Sequence, residues 1–439
     1  MTDAPVPLTR RHFLFLAGTC VGGLILGCTV NPVSGRRQLI LVSESDERRI
    51  DRENSPHQFS ADYGQVPDPQ LVRYIQGVGA SLAGRTHRPD LPYRFVPLNA
   101  TYVNAYTFPG GSVGITRGIL LELGSEAELA ALIGHELGHV NARHTAQQMS
   151  KGVLAALAVS GLASAAGDMG ERSEKVAAGL GQIASGALLA RYSRDNEREA
   201  DSLALEYMVR AGYGPSGHTR LMDMLRSLSS RKPGAIELMF ATHPMSEDRY
   251  RSSVAAISRM PASSRELPTH RERYMDNTIG LRAMSGAIGL MQEGDRLMKA
   301  GKFREAEGQL MEALRLSPGD YAALLMTARC QLALERAGLA RRYAEDAAAV
   351  YPGEPQALHL LGMAELSLER YDAARLHCLN YEKSLPGNPN TVFFIGRCAE
   401  GMGDREEAAN RYLAYLKEVD RGENAQYAYS RLRQWGYVK

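Results

Sequence analysis

His135-Glu136-Leu137-Gly138-His139 places two imidazoles and a carboxylate within five residues of one chain segment. On a helix, residues four apart lie on one face, so both rings can hold a single metal ion. Glu136 follows the first ring by one position, which aims its carboxylate beside that ion, towards a water. The chemistry implied is metal-assisted hydrolysis with Glu136 as general base. Two imidazoles leave such a centre incomplete, because a catalytic zinc takes three protein ligands plus water. The candidate third ligand is Glu197, 58 residues after His139 on a separate helical segment. Asp201 follows Glu197 one turn on and can accept the N–H of a ligating imidazole, which fixes its tautomer. Glu199 competes for the ligand role, although it points to the opposite face from Asp201.

Two helices must carry these residues. Ser125 can cap a helix running to Arg143, with Glu126 and Glu128 at its positive end and Leu129, Leu132, Ile133 and Leu137 along one face. Arg194 to Ala211 reads as the second. His144 would stand about 140° round the first helix from His139, outside the ligand set. His57, His87, His218, His270, His359 and His377 have no partner at ligand spacing and read as surface or packing residues. Helical spacing also covers Ser43–Glu53 and Leu71–Leu82. Tyr93–Leu98 alternates as a strand, and Asn104–Ile115 reads as two strands around a Pro109-Gly110-Gly111 turn, the first a candidate edge. From Gly152 to Leu189 the chain is rich in Ala, Gly, Ser and Leu. Its apolar part, Val153–Ala166, is too short and too glycine-broken to span a bilayer. A helical hairpin over the site, a patch resting on lipid and a plain packed helix pair all fit.

A chain of 439 residues with 44% hydrophobic and 23% charged residues has room for two or three domains with real cores. The formal net charge of +2 gives no support for nucleic-acid binding. Five cysteines, at 20, 28, 330, 378 and 398, form no metal-binding spacing, so a metal here must use His and carboxylate. Thr9-Arg10-Arg11-His12-Phe13-Leu14 resembles a twin-arginine export signal, followed by an apolar run to Gly27. Ile25-Leu26-Gly27-Cys28 resembles a lipoprotein processing site, with a bulkier Leu26 than is usual before the glycine. Cys28 is then the expected lipidated residue, anchoring the chain at a membrane surface, and Cys20 is lost with the signal. Thr29 after it favours the outer membrane. The three remaining cysteines are expected as buried small residues.

After Cys28 comes a polar, extended segment, Asn31–Arg37, and a polar, basic stretch near residues 258–272 looks like a domain boundary. Beyond residue 286 the sequence repeats: Pro318, Pro352 and Pro386 are 34 residues apart, as are Ala306, Ala340, Ala374 and Ala408, with Gly294, Ala328, Gly362 and Gly396 in register. Each unit reads as two helices with small residues where they cross, and the spacing resembles the tetratricopeptide repeat. Such units must stack, giving a concave groove; Ala425–Trp435 would cap the stack. The expected fold is mainly α with a small β-sheet: an export signal (1–27), an α+β zincin-type metallopeptidase domain (28–265), a linker (266–286) and an α-solenoid of about four repeats plus a capping helix (287–439).

The His-Glu-x-x-His motif with a downstream Glu-x-x-x-Asp helix resembles the gluzincin pattern of the HtpX and CAAX-prenyl-protease family of zinc peptidases, and within it the periplasmic, repeat-bearing BepA-type members. Asn31-Pro32-Val33-Ser34-Gly35-Arg36, Asn104-Ala105-Tyr106 with Pro109-Gly110-Gly111, and Thr242-His243-Pro244 carry the rest of the likeness. It implies one zinc ion per chain on His135, His139 and Glu197, with His243 as a gating fourth ligand on a mobile loop. It also suggests Arg249 as the oxyanion donor. The strand at Asn104, Ala105 and Tyr106 would hold the substrate by strand addition. The expected role is a periplasmic endopeptidase that cleaves misfolded or misassembled envelope proteins. Its repeats would recruit substrate or the outer-membrane assembly machinery. The alternative is chiefly a chaperone or scaffold for outer-membrane protein assembly, with proteolysis secondary. No apolar run of about 20 residues follows Cys28, which disfavours a protease of membrane-embedded segments.

Overall fold

The structure, a computed structural model, describes residues 28–152, 192–231 and 233–438. The export segment 1–27 and residues 153–189 of the small-residue stretch lie outside the described residues. The chain enters through a hairpin, β1 (Cys28–Val30) and β2 (Arg37–Leu39), with Cys28 opposite Leu39. The Asn31 side chain shapes its turn, accepting the N–H groups of Val33 at 2.8 Å and Ser34 at 3.1 Å. Helix α1 (Glu44–Ala61) opens with a capping box between Ser43 and Asp46, and α2 (Pro69–Ala83) buries Leu71, Ile75, Val78 and Leu82, the stripe its spacing predicts.

Three strands form the sheet of the first domain: β3 (Arg94–Leu98), β4 (Ala105–Thr107) and β5 (Ser112–Thr116). Their order is β3-β5-β4, with β3 parallel and β4 antiparallel to β5, so β4 is an edge as the sequence suggests. A short helix, α3 (Arg117–Glu122), leads to α4 (Glu126–Asn141), every residue of which is buried. Ser125 caps α4, its Oγ accepting the Glu128 N–H at 3.3 Å. The partner helix α5 (Arg194–Arg210) lies against α4 at two glycines. A Cβ on Gly138 would stand 2.9 Å from Ala200 Cα, and one on Gly134 would stand 3.2 Å from Ala204 Cα. Only a hydrogen on that face lets the two backbones approach so closely. Helices α6 (Ser216–Arg231), α7 (Pro233–Thr242) and α8 (Glu247–Ser258) complete the surround.

The stretch 266–286, expected as a linker, is built into this domain instead. After α9 (Ala262–Arg265) it forms α10 (Arg271–Asn277) and α11 (Ile279–Ala283). Tyr274 is fully buried, donating its hydroxyl to the Leu120 carbonyl at 2.6 Å, and Arg273 pairs with Glu126. Its polar composition hid this because the segment docks through one tyrosine and its arginines rather than an apolar stripe. The repeats follow as α12 (Ser285–Lys299), α13 (Phe303–Leu316), α14 (Tyr321–Ala333), α15 (Ala337–Val350), α16 (Gln356–Ser367), α17 (Tyr371–Ser384), α18 (Pro389–Gly401) and α19 (Arg405–Glu418), closed by α20 (Glu423–Trp435). The small residues sit at the crossings: a Cβ on Gly294, Gly362 or Gly396 would come within 2.9 Å of Leu310, 2.6 Å of Cys378 or 2.8 Å of Tyr412. Cys330, Cys378 and Cys398 are buried and unbridged. The stack is joined to the first domain by a buried two-pronged ion pair, Arg117 to Asp320 at 2.6 and 3.0 Å. Among the described residues no helix is long and apolar enough to cross a membrane.

Candidate metal centre

The close approach at Gly138 brings Glu197 on α5 beside the two histidines of α4. His135, His139, Glu197 and His243 each offer one ligand atom, all within 4.8 Å of one another, and all four residues are buried. His139 Nε2 lies 3.1 Å from His135 Nε2 and 3.4 Å from Glu197 Oε1. His243 Nδ1 lies 3.1 Å from Glu197 Oε1 and 3.4 Å from His135 Nε2. Zinc with ligands at about 2.0–2.2 Å in a tetrahedron has ligand–ligand edges of about 3.4 Å. The donor set and its spacing therefore fit that ion.

Each ligand ring is steadied from behind. His135 Nδ1 meets Asp201 Oδ1 at 3.1 Å, the contact expected of Asp201. His139 Nδ1 meets His144 Nδ1 at 2.9 Å, and His144 Nε2 meets Glu199 Oε2 at 3.1 Å. Helical projection from His139 misses His144 because α4 ends at Asn141 and Arg143 takes φ +59°, turning His144 back beneath the ring. Glu199, the competing ligand, thus reaches the centre only through His144. Tyr192 is a further member that spacing does not reveal, its ring stacked on His139 at 3.9 Å. His218 is buried, the packing alternative of the two, with Nε2 3.5 Å from Asp201 Oδ1, a carboxylate neighbour that sequence spacing does not reveal.

Arg249 departs most from expectation. Its Nε and one terminal nitrogen each donate to Asp201 at 2.7 Å, and its other terminal nitrogen lies 3.0 Å from the Pro244 carbonyl and 2.5 Å from Glu197 Oε2. All three nitrogens are engaged by protein oxygens, so Arg249 stands here as a clamp on Asp201, Glu197 and the loop after His243.

The charges follow from this geometry. Burial alone would raise the Glu197 pKa, but His243 and His139 hold it far below the usual carboxylate range. Burial pushes His139 well below the ordinary imidazole value, which favours the neutral form that binds metal. His243 is raised despite its burial, because the Glu197 and Glu136 carboxylates face it. Burial raises Glu136, whose two carboxylate oxygens have no hydrogen-bond partner among the described residues, with Oε1 3.8 Å from His243 Nε2. An unpaired buried carboxylate is costly, and this one stands next to four potential metal donors.

His243 follows α7, its N–H donating to the Met239 carbonyl at 2.7 Å, and lines two cavities. One is walled by Asn104, Tyr106, Thr107, Phe108 and Tyr192; the other by Leu132, Leu221, Met222, Leu225 and Met239 together with His135, Asp201, His218 and Arg249. Of the expected substrate strand, Asn104 and Ala105 are buried, and Asn104 Oδ1 has no partner. Phe108 N–H bonds the Ser112 carbonyl, and Thr116 N–H bonds that of Asn104. By the alternation of antiparallel pairs, the peptide groups of Ala105 and Thr107 then face away from β5.

A paired-helix His-Glu-x-x-His centre with a glutamate from the second helix defines a metallopeptidase-type domain. Residues 69–256 match the model of Peptidase family M48, and residues 291–344 and 331–389 match a tetratricopeptide repeat model. The chain carries an M48 peptidase domain joined to tetratricopeptide repeats. A Vibrio cholerae protein is 33% identical over 200 residues, covering 43% of this chain and 39% of its own length. The beta-barrel assembly-enhancing protease of Escherichia coli (strain K12) is 27% identical over 281 residues, covering 58% of this chain and 57% of its own. The chain thus spans less than two thirds of the length of these relatives. Among solved structures, the tetratricopeptide protein YrrB aligns with a TM-score of 0.31 at 16% identity, over 47% of this chain and 97% of its own.

Proposed function

We propose that this chain is a zinc-dependent endopeptidase of the bacterial cell envelope. The observation that carries the reading is the convergence of four buried metal donors at tetrahedral spacing beside the unpartnered Glu136 carboxylate. A zinc ion on His135, His139 and Glu197 would acidify a water and polarise a peptide carbonyl. Glu136 takes the proton of the attacking water on its carboxylate and passes it to the nitrogen of the leaving amine. Asp201 holds the His135 tautomer, and Arg249 holds Asp201 and Glu197. The outward peptide groups of Ala105 and Thr107 on β4 pair with an extended substrate. His243 shares the donor cluster in the closed form and must leave it before a substrate carbonyl can enter.

The wider role rests on sequence and on similarity. The twin-arginine-like segment and Cys28 support export and a lipid anchor, with the periplasmic face of the outer membrane as the proposed site. The Escherichia coli relative's name supports work on beta-barrel assembly; misassembled envelope proteins are the proposed substrates and the repeats their proposed recruiter. The test is metal analysis combined with digestion of an unfolded protein. Wild type purified without chelator should hold one zinc and cleave. Glu136→Gln should hold zinc and lose roughly 10²–10⁴ in rate, the usual worth of a general base. A metal-free wild type, or an active Glu136→Gln, overturns the reading.

A further inference from the structure

Asp62 lies at the end of α1, 5% exposed, away from the metal donors. Its Oδ1 accepts the Tyr102 hydroxyl at 2.7 Å; its Oδ2 accepts the Tyr106 hydroxyl at 2.5 Å and Gln58 Nε2 at 3.1 Å. A buried carboxylate is expensive to desolvate, and here it is spent on two hydroxyls that flank and belong to β4. Those tyrosines bracket Asn104, and the Tyr106 ring packs so closely over β5 that a Cβ on Gly114 would lie 2.8 Å from it. Tyr102, Asn104 and Tyr106 also wall one of the cavities that His243 lines.

The residues around Asp62 belong to the contact with the repeats. Ser60 donates to the Glu354 carboxylate, and Gln356 Nε2 donates to Ser60 Oγ at 3.3 Å. Arg329 donates to the Tyr63 hydroxyl at 3.2 Å. Tyr63 and Gly64 turn the chain sharply at φ +65° and +72°, and Asn99 ties that turn to the sheet through the Tyr63 and Gln65 carbonyls. The repeat stack therefore bears on the turn from which Asp62 reaches the edge strand.

We propose that Asp62 is a positioning residue for substrate. Through Tyr102 and Tyr106 it sets the place of β4 relative to the metal donors, and the second and third repeats hold Asp62 through Ser60 and Tyr63. The proposal rests on β4 being the strand that pairs with substrate. It gives the repeat stack a part in the cleft itself, since a ligand that shifts Glu354 or Arg329 shifts the edge.

The test compares full-length, zinc-loaded wild type with Tyr102→Phe/Tyr106→Phe, Asp62→Ala and the triple variant. Backbone amide exchange over residues 103–108 and steady-state cleavage of fluorescein-labelled casein are both measured. Losing the bonds to Asp62 should speed exchange of the Asn104, Tyr106 and Phe108 amides by about tenfold and raise KM by a similar factor. The kcat value should stay within about twofold, because the reacting groups are untouched. The triple variant should match Asp62→Ala, since one linkage is being cut. Unchanged exchange and KM in the conservative Tyr→Phe pair overturn the proposal, as do additive effects in the triple. A wild type that cleaves nothing refutes the peptidase reading instead, and the exchange data still decide the role of Asp62.

Discussion

Replacing His243 by alanine should open the centre, and the structure sets the size of the effect. In the closed form the His243 ring has one directed anchor on a charged group, Nδ1 to Glu197 Oε1 at 3.1 Å. Its backbone bond to Met239 survives the substitution. A hydrogen bond to a charged group contributes about 1.5–3 kcal/mol, and about 1.4 kcal/mol is tenfold, so this contact alone favours the closed form by roughly 10- to 100-fold, and a bond from the same nitrogen to the ion in its place would set the factor at least as high. Apparent substrate affinity is reduced by the fraction of molecules that are competent, so kcat/KM should rise by about that factor when the ring is removed. The assay is initial-rate digestion of an unfolded protein at matched zinc content, with Glu136→Gln/His243→Ala as the blank. The double variant must be inactive, which ties any gain to this centre. A change below about twofold would mean the ring leaves on its own at no cost. A fall in rate would refute the gate and assign His243 a part in the reaction.

Two other perturbations test the architecture. Arg117 and Asp320 are both nearly inaccessible, so Asp320→Ala should destabilise the chain by about 3–5 kcal/mol through an orphaned guanidinium, whereas Arg117→Met/Asp320→Leu should recover most of that loss in denaturant unfolding. Equal losses in the single and double variants would show that the pair is not the joint. Burial would raise the Glu126 pKa, but hydrogen bonds from Arg273, Tyr74 and Tyr213 outweigh it and keep the folded value below that of an ordinary carboxylate. Its ionised form is thus favoured by folding: the contribution is full above the unfolded pKa of about 4.3 and fades as pH falls through the lower folded value. The stability advantage of wild type over Glu126→Gln should therefore shrink on acidification in that window, and a constant difference would contradict the assignment.

The cluster of potential donors is legible because α4 and α5 are regular helices, on which spacing fixes direction: His135, His139 and Glu197 converge, with Asp201 against His135, as their positions dictate. The repeats were legible for the same reason, since small residues at the period of 34 mark helix crossings. Legibility failed where the chain leaves the helix. His144 escapes projection because Arg143 adopts a left-handed φ of +59°. Tyr192 reaches His139 from outside both helices. Family likeness alone suggests Arg249, and its spacing carries no sign that its nitrogens turn to Asp201, Glu197 and Pro244. The packed segment 271–283 was hidden because its anchors are a tyrosine hydroxyl and arginines, which composition cannot tell from a solvated linker.

The joint between Arg117 and Asp320 bears on how such a chain is inherited. Asp320 also caps α14, accepting the Ala323 N–H at 2.9 Å, so one carboxylate starts a repeat helix and neutralises a cation at the end of β5. A repeat array acquired from another gene and lacking an acid at that position would leave Arg117 buried without a counter-charge. Recombination that swaps the arrays should be rejected at this residue pair, even between chains whose repeats are otherwise interchangeable. The two modules are therefore expected to diverge together, and a chimera should fold only when the donor array carries an acidic residue in register with Asp320.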